Sequence, residues 1–106
     1  MILLAGIYYP EGYKTPGVSR TLSGQLLRSG TSIGANVEEG QASQSKADFV
    51  SKYSIACKEA REAHYWLRLI AATDIISKDR LGDLMDEANQ LIAILTTIIK
   101  KTKANA

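Results

Sequence analysis

Residues 45–72 read SKADFVSKYSIACKEAREAHYWLRLIAA, and their apolar pattern is the strongest in the chain. Ser45 with Asp48 three residues later predicts a helix N-terminus, because the serine oxygen can accept from a free amide and the helix dipole favours an acid there. We predict one helix from Ser45 to about Ala72, roughly 40 Å long at 1.5 Å per residue. Its apolar residues alternate steps of four and three, as on one helix face: Phe49, Tyr53, Ala56, Ala60, Ala63, Leu67 and Ile70.

The same spacing returns towards the end of the sequence and predicts a second long helix. Ser77 is its predicted N-cap, and lysines in its last turn complement the negative end of the helix dipole. The short connection over residues 73–76 makes the two helices antiparallel neighbours. The apolar positions of this helix are Leu81, Leu84, Ala88, Leu91, Leu95 and Ile98.

The segment from Thr21 to Glu39 has helical apolar spacing but contains three glycines, each of which costs about 1 kcal/mol relative to alanine. We still predict a helix, because packing overrides propensity and small side chains let another helix approach closely. Gly40 is predicted to cap its C-terminus. The small residues are Ser29, Gly30, Ser32, Gly34 and Ala35.

Length and composition predict one compact domain. The chain has 106 residues, of which 45% are hydrophobic and 23% charged, which excludes a multidomain enzyme and a disordered chain. A net charge of +2 is too small to indicate nucleic acid by itself. The single Cys57 excludes an internal disulfide and favours a reducing compartment, so we predict a cytoplasmic protein. The apolar run over residues 2–9 ends at Pro10 and fits neither a signal peptide nor a membrane span.

Four strings in these segments resemble one known family. They are LLRSGTSIGANVEEG at residues 26–40, SKADF at 45–49, IACKEARE at 55–62 and YWL at 65–67. They are similar to the four-helix bundle proteins encoded within intervening sequences of bacterial large-subunit ribosomal RNA genes. These proteins are relatives of the accessory variability protein of diversity-generating retroelements. The resemblance spans about residues 21–101.

The resemblance implies an antiparallel four-helix bundle that forms a homopentamer, is linked to nucleic-acid binding and has no known catalytic activity. The full first helix of that family is not supplied here, because prolines and glycines interrupt residues 10–17. We therefore predict an all-α, antiparallel up-and-down bundle of the four-helix type with a shortened or lost first helix. Residues 1–20 are predicted to be irregular or a remnant of that helix, and residues 21–106 to form the bundle domain.

Four residues of the long central helix predict a nucleic-acid-binding surface, here called the basic stripe: Lys58, Arg61, Tyr65 and Arg68. At 100° per residue they lie within about 80° of one another and away from the apolar face. Lysine and arginine neutralise phosphates, and a tyrosine ring can stack on an unpaired base. The alternative is an ordinary solvated face, in which Lys58 pairs with Glu62 four residues later.

Three further apolar residues of this helix predict an oligomer interface: Ile55, Trp66 and Leu69. They lie roughly 120° from the apolar face, and large aromatic side chains with few charges are typical of subunit interfaces. Met85, Ile92 and Ile99 also lie outside the main apolar pattern of the last helix. The alternative is burial under a fourth helix of the same subunit.

The sequence favours no enzyme, cofactor or metal. His64 and Cys57 lack a third metal ligand at usable spacing, and the hydroxyls of residues 29–32 have no Ser-His-Asp arrangement around them. A helical ribonuclease with arginine, four to six intervening residues and then histidine is disfavoured. The eligible positions before His64 hold Cys57, Lys58 and Glu59, and Arg61 is too near.

The predicted function is that of a non-enzymatic oligomeric helical-bundle protein that binds RNA or DNA through a basic surface. Its predicted role is accessory to a nucleic-acid enzyme such as a reverse transcriptase, with no membrane partner. The alternative is a purely structural or scaffolding oligomer that binds no nucleic acid. Salt-dependent binding to nucleic acid separates the two.

Overall fold

The structure, a computed structural model, describes residues 18–73 and 78–105. Three helices contain most of these residues: α1 (Val18–Gln41), α2 (Lys46–Ala72) and α3 (Lys78–Ala104). No strand occurs in these two ranges, which confirms the all-α prediction. Residues 1–17 of the segment predicted to be irregular or a remnant of a first helix lie outside the described residues, and so does the predicted N-cap Ser77. Residues 18–20 of that segment are instead the first residues of α1.

Helix α2 begins and ends where its sequence pattern predicts. Ser45 has extended backbone angles, φ −145° and ψ 157°, and its side chain accepts a hydrogen bond from the backbone N–H of Asp48 at 3.0 Å. At the other end the N–H of Thr73 donates to the carbonyl of Ile70 at 3.0 Å. The serine therefore satisfies an amide that the first turn leaves without a partner within the helix.

Helix α1 runs through all three glycines of the predicted segment, so the predicted helix is confirmed. It begins at Val18, three residues before the predicted start. Ser29 is fully buried and its hydroxyl donates to the carbonyl of Gln25 at 3.0 Å, whereas Ala35 is exposed. Only part of the predicted small surface is therefore buried.

The prediction that Gly40 caps α1 is wrong. Gly40 lies inside the last turn, because the helix continues to Gln41. A Cβ atom at this position would lie 2.6 Å from Cε1 of Tyr53 on α2. Glycine is needed here because it lets an aromatic ring of the next helix reach the backbone.

Helix α2 packs against both other helices, and α1 and α3 do not pack against each other within the described residues. Both pairs are antiparallel. Arg28 near the middle of α1 reaches Glu59 of α2, and Glu39 near its end lies 3.9 Å from Lys52. On the other side, the Sγ of Cys57 lies 3.5 Å from the Oγ1 of Thr96, and Lys46 donates to the carbonyl of Asn105.

The core follows the apolar face that the sequence predicts for α2. Ala56, Ala60 and Ala63 are fully buried, and their small side chains allow helices to approach on both sides. The molecule measures 49 × 20 × 18 Å, the elongated shape expected of long antiparallel helices. The larger buried side chains are Leu26, Ile33, Tyr53, Leu67, Ile70, Leu81, Leu84 and Leu95.

Candidate functional site

The structure places all four residues of the basic stripe on the exposed surface of α2. Among the described residues, no carboxylate oxygen lies within 4.0 Å of the charged groups of Lys58, Arg61 or Arg68. These three cations therefore remain available to an anionic ligand.

Cations between α1 and α2 have a different environment. Arg28 bridges two carboxylates of α2, with 3.1 Å between its Nη1 and the Oε2 of Glu59 and a second ion pair from its Nη2 to the Oε1 of Glu62. Lys52 lies 3.9 Å from Glu39. Paired charges thus connect α1 to α2, while the basic stripe faces solvent.

Glu62 connects this ion-pair network to Trp66. The indole N–H of Trp66 donates to Oε1 of Glu62 at 3.1 Å, and this hydrogen bond lowers the pKa of Glu62. Arg28 and the more distant Lys58 lower the pKa of Glu62 further, although partial burial opposes them. The hydrogen bond to Glu62 in turn raises the pKa of Arg28. Lys58 thus acts on Glu62 at longer range than the ion pair that the alternative interpretation of the stripe expected, because no described carboxylate oxygen lies within 4.0 Å of its Nζ.

Tyr65 supports a neighbouring member of the stripe. The guanidinium carbon of Arg68 lies 5.6 Å from the centroid of the Tyr65 ring, a cation–π distance, and the ring of Trp66 meets Tyr65 edge-on at 5.1 Å. Tyr65 remains 46% exposed. Its ring therefore orders Arg68 while part of its surface stays open to solvent.

A cleft between α2 and α3 brings two members of the stripe together with residues that the sequence did not single out for binding. Arg61 and Arg68 line it with His64 on one side, and Asn89 and Ile92 of α3 line it on the other. Its volume is about 210 Å³. The spacing of residues 61, 64 and 68 places them on one helix face, so the sequence alone could have indicated that His64 lies beside the two arginines. No local pattern in the sequence indicates Asn89, which lies on another helix.

The residues of the predicted oligomer interface differ in exposure. Ile55 is 38% exposed, whereas Leu69 and Trp66 are partly buried. Trp66 also packs against the core of its own subunit. Its burial is thus partly explained within one chain.

A second apolar surface lies on α3, and its residues differ from the Met85, Ile92 and Ile99 that the sequence pattern places outside the main apolar face. Ala93, Ile94, Thr97 and Ile98 line a shallow apolar hollow of about 290 Å³, and Ile94 is 54% exposed. Two residues along a helix correspond to 200°, so Ile94 and Ile98 lie nearly opposite Thr96, which contacts α2. Ile94 therefore faces away from α2, whereas the partly buried Ile98 also packs against the core.

Two further findings concern the part of the chain that the structure describes. No three His, Cys, Asp or Glu side chains there form a group that could hold a metal ion. None of the three helices is long and apolar enough to cross a membrane.

The amino-acid sequence matches the model of one protein family. The family model of the 23S rRNA-intervening sequence protein matches residues 14–97. The chain belongs to this family. Membership in the 23S rRNA-intervening sequence protein family confirms the resemblance carried by the strings at residues 26–67.

A solved structure agrees with this assignment. The crystal structure of a protein of unknown function from the S23 ribosomal protein family of Bacteroides thetaiotaomicron is 37% identical in sequence to this 23S rRNA-intervening sequence family member. The match covers 93% of this chain and 83% of that chain, with a TM-score of 0.75. No curated protein matched the chain.

Proposed function

We propose that this member of the 23S rRNA-intervening sequence protein family binds RNA or DNA through the basic stripe and acts as a non-enzymatic oligomer. One observation carries the proposal: Lys58, Arg61 and Arg68 are exposed without an ion pair to any described carboxylate, while Arg28 and Lys52 on the other side of α2 are paired. A helix face whose exposed cations have no described carboxylate partner suits a polyanionic ligand.

The dimensions of the stripe support this ligand class. Lys58 and Arg68 are ten residues apart, which corresponds to about 15 Å along the helix. A duplex strand rises about 3.4 Å along its axis for each phosphate, so the stripe is long enough to reach more than one phosphate. Tyr65 lies between the cations and offers an exposed ring for base stacking.

The proposed assembly is a four-helix bundle subunit within a homo-oligomer, as the resemblance implies. The positions of the three helices support it, because within the described residues α1 and α3 each pack against α2 and not against each other, as helices across the diagonal of a four-helix bundle do. The exposed Ile55 and Ile94 supply apolar surface for subunit contacts. The pentamer, the accessory role beside a reverse transcriptase and the cytoplasmic location remain predictions.

The second candidate function is a scaffolding oligomer that binds no nucleic acid. The ion pairs of Arg28 with Glu59 and Glu62 favour it. These three residues belong to the strings that resemble the family, and here their charges hold α1 against α2 and do not face a ligand. If the protein is a scaffold, the charges of the basic stripe serve only to keep it soluble.

Nucleic-acid binding at different salt concentrations tests the proposal. The substitutions Lys58→Ser, Arg61→Ser and Arg68→Ser are combined in one variant. A matched control replaces three exposed lysines at the end of α3 with serine and so removes the same total charge: Lys100, Lys101 and Lys103. Fluorescence anisotropy with a labelled single-stranded oligonucleotide gives the affinity as salt is raised.

We expect the stripe variant to bind more weakly and to reduce the slope of log affinity against log salt by about 2, since three phosphate contacts are lost at about 0.7 each. The control variant should keep a slope near that of the wild-type protein. Equal losses in both variants would show a general effect of charge and contradict the stripe. If the wild-type protein binds no oligonucleotide even at low salt, the scaffolding function replaces the proposed one.

A further inference from the structure

The cleft between α2 and α3 has the composition of a phosphate site. Its lining combines two guanidinium groups, an imidazole and a carboxamide with one apolar side chain, from Arg61, His64, Arg68, Asn89 and Ile92. No described Asp or Glu side chain lines it. Residues that carry hydrogen-bond donors therefore border the cleft from two helices, and no described carboxylate lines it.

The size of the cleft fits one phosphate group and part of its sugar. Its volume is about 210 Å³, well above the roughly 10 to 15 Å³ of such space that one water molecule needs. The arginine guanidiniums present forked donors that match phosphate oxygens. Ile92 gives the cleft an apolar wall, which suits the carbon skeleton of a ribose or deoxyribose.

Tyr65 positions one of these donors. Its ring lies 5.6 Å from the guanidinium carbon of Arg68, and this contact reduces the freedom of an otherwise exposed side chain. A donor that is ordered before the ligand arrives loses less entropy on binding. The cleft thus differs from a loose patch of surface charge.

We propose that this cleft binds a single phosphate group of the nucleic-acid strand through Arg61, His64, Arg68 and Asn89. The inference rests on the proposed function for the identity of the strand. It adds that the strand leaves the outer face of α2 and crosses onto α3, where Asn89 donates to a phosphate oxygen. Lys58, which does not line the cleft, then contacts a neighbouring phosphate.

Asn89→Leu tests the cleft without changing the charge of the protein. The substitution removes the carboxamide from an exposed helical position and keeps the same branched skeleton of side-chain heavy atoms. Gln90→Leu is the matched control, because Gln90 is the next residue, equally exposed and outside the cleft. Oligonucleotide affinity is measured by fluorescence anisotropy, and helicity by circular dichroism.

We expect Asn89→Leu to weaken oligonucleotide binding about tenfold, as the loss of a hydrogen bond to a charged group does, with an unchanged salt slope. Gln90→Leu should bind like the wild-type protein. If both variants bind with wild-type affinity, the cleft assignment is wrong. The proposed function would still stand in that case, provided that the triple substitution of the stripe weakens binding.

Titration with inorganic phosphate separates the cleft from the nucleic acid. Phosphate should shift the NMR signals of the His64 imidazole and the Asn89 side-chain amide in the wild-type protein, and the His64 shift should be smaller in Asn89→Leu. If these signals shift although no oligonucleotide binds, the cleft is a phosphate site and the proposed function fails. If phosphate shifts neither signal, the cleft assignment is overturned.

Discussion

The ring of Tyr53 on α2 lies directly against the backbone of Gly40 on α1. A Cβ atom on Gly40 would approach Cε1 of the ring to 2.6 Å, and the ring cannot move away easily. Tyr53 is buried and stacks on Phe49 with 4.1 Å between the ring centroids. The end of α1 is therefore held against α2 by the contact of the Tyr53 ring with the backbone of Gly40, which has no side chain.

This contact predicts opposite effects for two glycine-to-alanine substitutions in the same helix. Gly40→Ala should destabilise the protein by about 1 to 3 kcal/mol, since the added methyl group overpacks the contact with Tyr53. Gly24→Ala is the control, because a Cβ atom there meets nothing within 4 Å. Gly24→Ala should stabilise the protein by about 0.4 to 1 kcal/mol. Urea unfolding gives both values, and a Gly40→Ala variant as stable as the wild-type protein would contradict the close contact.

The lowered pKa of Glu62 predicts a pH-dependent part of the stability. Its pKa in the folded protein lies below its unfolded value of about 4.3, so its interactions with Trp66 and Arg28 contribute fully above that pH. The contribution is lost as the pH falls through the folded pKa. Glu62→Gln should therefore be less stable than the wild-type protein at pH 7, and the difference should shrink as the pH falls below about 4.

Urea unfolding of Glu62→Gln at pH 7 and pH 3 measures this difference. Glu38→Gln serves as the control, because Glu38 is exposed and forms no ion pair with a described residue. Its stability should stay close to the wild-type value at neutral pH. A Glu62→Gln variant whose stability deficit is the same at both pH values would show that the charge of Glu62 is not responsible.

Substitutions of Tyr65 test its predicted stacking on a base. They separate the contribution of an aromatic ring to binding from that of a charge. Tyr65→Ala should weaken single-strand binding by about 1 to 3 kcal/mol with little change in salt slope, because no charge is removed. Tyr65→Phe keeps the ring and should retain most of the affinity. Anisotropy titrations at two salt concentrations distinguish the outcomes. Equal losses for alanine and phenylalanine would assign the effect to the hydroxyl group instead of the ring.

Two exposed isoleucines distinguish between candidate oligomer interfaces. Ile55→Lys places a charge in the predicted interface with Trp66 and Leu69, and it should reduce the molar mass measured by light scattering. Ile94→Lys makes the same change on the apolar surface of α3. A reduced mass for Ile94→Lys alone would place the interface on α3. A monomeric wild-type protein at tens of micromolar would contradict assembly through either surface.

The predicted interface is tested more directly by Trp66→Ala combined with Leu69→Ala. Trp66 also packs on its own core and donates to Glu62, so this variant requires a parallel measurement of helicity. Loss of assembly with helicity retained supports the interface. Retained assembly would show that the subunits meet elsewhere.

The sequence determined by itself the features that depend on residues close in the chain. The steps of three and four in α2, the capping of its first turn by Ser45 and the end of the helix at Ala72 follow from local spacing and local hydrogen bonds. The exposure of Arg61 and Arg68 followed as well, because a helix with one buried face must turn its other face to solvent.

Only the tertiary structure decided which distant residues meet. A glycine at the end of a helical segment is typical of a helix cap, so the local sequence predicts that role for Gly40. Its role in the structure is to let the ring of Tyr53 approach the backbone, and no local rule places those two residues together. Asn89 likewise enters the cleft with Arg61 because of the register between α2 and α3. That register depends on how side chains from separate helices interdigitate, which local spacing in the sequence does not specify.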